Sequence, residues 1–177
     1  KGGVGKTSTA AHLAMSAAMD GYRALVVDLD SQGSMTSIFG GQVADEWGTV
    51  FPLLARHYAR HLRVSNAGRI DRGEAPIPID DTLNEALKIT AADLVRPTHW
   101  PNIDLIGAQL NLYWAEFQIP VWRMAARGWK LWDALSESLA EDGVLEKYDL
   151  VFLDTPPALG YLTILSLIHI SEPTRPY

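Results

Sequence analysis

The chain has 177 residues, 47% of them hydrophobic and 20% charged, with a formal net charge of −6. It has no run of about eighteen apolar residues and no signal-peptide pattern, so a globular α/β piece without a transmembrane helix is expected. Zero cysteines exclude a thiolate-held iron–sulfur cluster and fit a reducing cytoplasm, and the acidic balance argues against this portion acting alone as a nucleic-acid binder.

The chain opens on Lys1-Gly2-Gly3-Val4-Gly5-Lys6-Thr7-Ser8. Glycines 2, 3 and 5 let the backbone approach a polyphosphate and turn N–H groups toward it, and the helix that follows adds its positive N-terminal end. The G-K-[ST] pattern assigns Lys6 to the β/γ-phosphate oxygens and the Thr7 hydroxyl to Mg²⁺, with Gly2 to Ser8 as the nucleotide cradle. The competing reading is a glycine-rich turn that opens a helix for packing alone.

Apolar residues at helical spacing from Thr7 to Met19 stop at Asp20-Gly21. Arg23 to Asp30, RALVVDLD, is a β-branched apolar run of the kind found in parallel strands buried on both faces, and so is Tyr148 to Asp154, YDLVFLD. Both runs end in carboxylate. Ligands of open α/β sheets sit at the carboxyl ends of the strands, so Asp154 is expected to hold the Mg²⁺ shell through a water, Asp28 to lie near the metal, and Asp30 to orient the attacking water. The alternative for Asp28 and Asp30 is capping of the next helix.

Between these strands the pattern predicts a helix over Asp45 to Leu62, a Gly-, Pro- and charge-rich loop over Ser65 to Asp81, and a helix over Thr82 to Leu94 that ends before Pro97. A short strand follows over Asn102 to Gly107, then a helix over Gln109 to Phe117 broken near Pro120, and a long helix over Val121 to Glu141. Arg56, Arg60 and Arg63, with His57 and His61, form a stripe that suits either DNA or, more simply, a solvated helix face. Trp100, Tyr113, Trp114, Phe117, Trp122, Trp129 and Trp132 suit either base stacking or core packing, and core is favoured because Trp122, Trp129 and Trp132 fit one helix face. The histidines show no zinc-ligand spacing.

KGGVGKT resembles the deviant Walker A motif of the ParA/MinD family of ATPases. RALVVDLD with Ser31-Gln32-Gly33-Ser34 resembles the family's second motif, with Ser31 and Ser34 where proline and asparagine are common, and YDLVFLDTPP resembles its Walker B strand. The section from Asp93 to Ile164 is most similar to partition ATPases of low-copy plasmids of the repABC type. The resemblance implies a P-loop, doubly wound, mostly parallel sheet with helices on both faces, and ATP and Mg²⁺ as cofactors. It also implies that Lys1 crosses a nucleotide-sandwich dimer to the partner's phosphates. The implied protein is a cytoplasmic, nucleoid-associated ATPase that dimerises on ATP, coats DNA nonspecifically and answers to a ParB-type centromere-binding partner. The alternatives are a membrane-associated positioning ATPase of the MinD type, a nucleotide-switched operon repressor and a bacterial tyrosine kinase of related fold.

At its ends the chain reads as a partial domain. No strand leads into the phosphate loop, so the first strand is expected to be missing, and Leu165 to Arg175, LSLIHISEPTR, resembles a translated sequencing-library adapter. Residues 1–164 are therefore expected to be a partial ATPase domain and residues 165–177 a non-native tail, with the fragment itself inactive.

Overall fold

A computed structural model describes residues 5–41, 43 and 47–167. Lys1, Gly2, Gly3 and Val4 lie outside the described residues, as does most of the 165–177 tail. Four strands, β1 (Ala24–Asp28), β2 (Arg96–Pro97), β3 (Ile103–Ile106) and β4 (Leu150–Asp154), form one sheet in the order β2-β3-β1-β4. β1 runs parallel to both β3 and β4, while β2 is antiparallel to β3, so the sheet is mixed and mostly parallel, as an open α/β architecture requires. The two-residue β2 escapes the sequence pattern because it is too short to show alternation and contains Pro97, tolerated where an edge strand need not donate.

Helices cover both faces. β1 is wholly buried, and the pleat sends Leu25 and Val27 into one core and Ala24 and Val26 into the other. The second core is closed by α1 (Lys6–Met19), through Ala11, Ala14 and Ala18, and by Met35 of α2 (Ser34–Ile38). The larger core is closed by α3 (Phe51–Asp71), α4 (Asp81–Ala86), α5 (Ala91–Leu94), α6 (Ala115–Ala125), α7 (Ala134–Glu141) and α8 (Tyr161–Leu167). Leu165 continues α8 and is buried in that core, although sequence reasoning assigns it to the tail.

Four helix boundaries differ from the sequence expectation. α3 starts at Phe51 with Pro52 in its first turn, where a missing N–H costs nothing, and runs on to Asp71, nine residues beyond Leu62. Asn66 holds the returning chain by exchanging hydrogen bonds with the backbone of Ile77, 2.8 Å in each direction. The helix expected over Thr82 to Leu94 is two short ones, because Asp80 caps α4 and Thr90 starts α5 afresh with a capping box to Asp93. Pro120 does not break α6: a 3₁₀ turn over Leu110–Trp114 leads into a helix that passes through it, held by the buried Ile119 and Trp122. The long helix over Val121 to Glu141 is instead broken after Ala125 around Gly128, and the break lets Trp129 turn inward.

The two tempting surface features resolve differently. Arg56 is buried and bonds Asp142 of the α7 terminus, His57 meets Glu137 and Arg60 meets Glu141, so the inner side of the stripe is an interhelix seam, while Arg60 and Arg63 stay exposed on the solvated side of α3. Trp122 and Trp129 are core, packed against Tyr58 with ring centroids at 4.9 and 5.1 Å, whereas Tyr113, Trp114 and Phe117 are exposed.

Candidate functional site

The site is built where the two apolar strands end. β1 and β4 pair in parallel register from Ala24 opposite Leu150 to Asp28 opposite Asp154, so the two buried carboxylates stand side by side at the carboxyl edge of the sheet. Into the same edge comes the N-terminus of α1. Gly5, at φ +79°, is its N-cap, a left-handed conformation that favours glycine, and the helix starts at Lys6. A cleft of about 400 Å³ is lined by Gly5, Lys6, Thr7 and Ser8 on one side, Asp30, Gln32 and Ser34 on another, and Thr155 and Pro157 on the third. The structure thus gathers five described residues assigned from the sequence, Gly5, Lys6, Thr7, Ser8 and Asp30, around one space large enough for a ligand. The first-turn N–H groups of α1 have no partners within the helix and face this end, the arrangement that binds anions.

Each carboxylate has a different surrounding. Asp28 accepts hydrogen bonds from the Asp30 N–H (3.1 Å), the Thr36 N–H (2.8 Å) and the Thr36 hydroxyl (2.7 Å). The second of these caps α2, so the capping geometry is present at Asp28. Burial nevertheless pushes its carboxyl up to about 6 against the three donors, with the Asp154 charge adding to the rise. Asp154 is also raised, by burial first and by Asp30, while Thr7 and Lys6 oppose the shift. Its Oδ2 is buried without a hydrogen-bond partner among the described residues. Asp30 sits at the start of the next turn, where its carboxylate accepts the Gln32 N–H at 3.0 Å.

These surroundings fit a hard cation. An unpartnered buried carboxylate oxygen, a second carboxylate in register and the Thr7 hydroxyl form an all-oxygen donor set. Among the described residues no cluster of three or more His, Cys, Asp or Glu could hold a metal alone. That suits Mg²⁺, which is commonly bound by one or two carboxylates together with phosphate oxygens and water.

Three contacts at the site carry no signal in the sequence pattern. The Lys6 ammonium donates to the Pro156 carbonyl at 3.0 Å, tying the phosphate loop to the turn after β4. The Thr36 hydroxyl donates to Asp28 and accepts the Ala108 N–H at 2.8 Å, joining β1, α2 and the end of β3. Glu116 of α6 accepts the N–H groups of Tyr161 and Leu162 at 2.8 and 3.0 Å, fixing the start of α8 and with it the turn that carries Pro156. Their long sequence separations hide all three from any local reading.

A family model described as an AAA domain matches residues 1–172. A putative replication protein A from Sinorhizobium fredii is 32% identical over 175 residues, covering 94% of this chain and 35% of that protein. The sporulation initiation inhibitor protein Soj of Bacillus subtilis is 32% identical over 168 residues, covering 94% of this chain and 51% of that protein. Among solved structures, cobyrinic acid a,c-diamide synthase from Mycobacterium smegmatis, with bound ADP and magnesium, superposes with a TM-score of 0.65 at 26% identity, over 94% of this chain and 52% of that one. The chain therefore spans about a third to a half of the length of these relatives. With a glycine-capped helix and two in-register strand-end carboxylates meeting at one cleft, and with these matches along nearly its whole length, the chain belongs to the AAA-domain family, in its ParA/MinD branch of P-loop ATPases.

Proposed function

We propose that the protein binds ATP with Mg²⁺ in the cleft between Lys6, Asp30 and Thr155 and hydrolyses it as a partition or positioning ATPase, the finer reading being plasmid or chromosome segregation. The observation that carries this is the register of Asp28 with Asp154 beside the N-terminus of α1. Lys6 moves from the Pro156 carbonyl to the β/γ-phosphate oxygens, and Gly2 to Ser8 cradle the phosphates with backbone N–H groups. Thr7 and Asp154 hold the cation and its water, with Asp28 beside them. Bound Mg²⁺ supplies charge neutralisation across the transferring phosphoryl group. Asp30, closer to solvent than the other two carboxylates, holds the attacking water. Lys1 reaches the phosphates of a second copy, so that ATP binding drives homodimerisation. Nonspecific DNA on the nucleoid and a ParB-type activator are the partners of the whole protein, and the 177 residues alone are inactive.

The test separates binding from turnover. In the full-length protein Lys6→Ala is expected to lose ATP binding by at least about a hundredfold, while Asp30→Ala binds ATP and dimerises but turns over at least about a hundredfold more slowly. Equilibrium binding of a fluorescent ATP analogue and phosphate release read the two effects. Unchanged affinity in Lys6→Ala defeats the site assignment, and lost binding in Asp30→Ala moves Asp30 into the metal shell.

A further inference from the structure

A second cleft, of about 320 Å³, lies between the N-termini of α3 and α4, the 3₁₀ turn at Leu110–Trp114 and α6. It shares no lining residue with the phosphate cleft. Its walls include four aromatic side chains, Trp47, Phe51, Trp114 and Trp122, with Gln118 and the carboxylate of Asp80. Asp80 is the sole charged residue of that lining, and no lysine, arginine or histidine faces it among the described residues.

The walls are held rigidly. Trp122 is stacked between Phe51, at 5.8 Å and 28°, and Tyr58, at 4.9 Å and 13°. Asp80 is fixed because its carboxylate caps α4, accepting the Leu83 N–H at 2.9 Å. Trp114, at the mouth, is 65% exposed. Aromatic walls with one anchored carboxylate complement a cation. A planar guanidinium suits them best, since it stacks on indole and indole-like faces and meets a carboxylate with paired donors, at a smaller desolvation cost than an ammonium. The acidic balance of the chain, −6, favours a basic visitor on approach.

The mouth continues into an apolar surface. Trp114, Phe117, Val121 and Met124 recur at intervals of three and four along the 3₁₀ turn and α6, Tyr113 lies beside Trp114, and all five are at least half exposed. Trp114 belongs to both the stripe and the cleft, so a segment lying along the stripe would deliver a side chain into the cleft.

We infer that this cleft and stripe form a docking site for an arginine side chain presented by a protein partner, with apolar residues flanking the arginine on the partner segment. The test uses three probes on the full-length protein: the peptide acetyl-Leu-Arg-Leu-amide, the same peptide with citrulline for arginine, and arginine amide. Titration calorimetry gives affinities, and the indole N–H resonances report which tryptophans respond. The arginine peptide is expected to bind at least about fivefold more tightly than either other probe and to move the Trp114 and Trp122 indole signals. Asp80→Asn keeps the helix cap, because asparagine caps as well as aspartate, and should erase the preference for arginine over citrulline. Trp114→Ala, at an exposed position, should weaken the arginine peptide about fivefold or more. Equal binding of the arginine and citrulline peptides overturns the proposal, as does an arginine preference that survives Asp80→Asn. Arginine amide binding as tightly as the peptide overturns the assignment to a protein partner.

Discussion

Asp28 is under opposed demands. Three donors at 2.7 to 3.1 Å favour its ionised form, yet full burial beside Asp154 dominates and lifts the carboxyl to about 6 from an ordinary 3.8. A carboxyl whose folded value is raised stabilises the fold when protonated. The contribution is complete below about pH 4 and is lost as pH rises through about 6, a difference of about 3 kcal/mol across that interval. Asp154 shifts in the same direction. Denaturant unfolding of metal-free, nucleotide-free protein at pH 4, 5, 6 and 7 should therefore show the stability of the native sequence relative to Asp28→Asn falling as pH rises. A difference that stays flat or grows would remove burial as the dominant influence. The same residue shows what a sequence can reveal locally. The YDLVFLD and RALVVDLD runs display their terminal acids openly, so the carboxylate edge is legible, but the Thr36 bridge to Ala108 is not, because its partners are 8 and 72 residues away.

At the scale of elements the α3–α7 seam matters most. Arg56 is 1% exposed, donates to both carboxylate oxygens of Asp142 and to the Ile89 carbonyl, and Asp142 also accepts the Ala91 N–H at 2.6 Å. One ion pair thereby joins α3, the start of α5 and the end of α7. Removing one partner leaves a buried charge uncompensated, so Asp142→Ala should cost about 3 to 5 kcal/mol, read as a loss of roughly 10 °C in Tm. The double variant Arg56→Met with Asp142→Leu should lose less than Asp142→Ala, since no charge is stranded. Equal losses would mean that the pair acts through packing alone. From sequence, Arg56 looked like a member of a surface stripe, because helical spacing records which face a residue shares and says nothing of what covers that face. The helix ends failed for a related reason. Local propensity makes Pro120 a helix break and lets the next helix run through Gly128, whereas the burial of Ile119, Trp122 and Trp129 decides where α6 continues and where the chain turns.

For the molecule as a whole, β4 is the telling strand. LVFLD reads as a strand to be buried on both faces and both edges, and β1, with the same character, is wholly buried between two neighbours. Among the described residues β4 pairs with β1 alone, and Leu150 and Val151 remain 40% and 37% exposed. Among the described residues the outer edge of β4 thus presents unpaired backbone groups beside apolar side chains, with no charge or proline from Leu150 to Leu153 to protect it. The edge also carries Asp154 and leads directly to Pro156, so any disorder there reaches the seat of Lys6. The 177-residue chain is accordingly expected to self-associate through β4, to lack a sharp cooperative thermal transition and to show no ATP turnover. Val151→Lys, which places a charge on the open strand, should shift the sedimentation distribution toward monomer without restoring activity. A monomeric native chain that melts cooperatively and hydrolyses ATP would refute this reading, and an association unchanged by Val151→Lys would place the contact elsewhere.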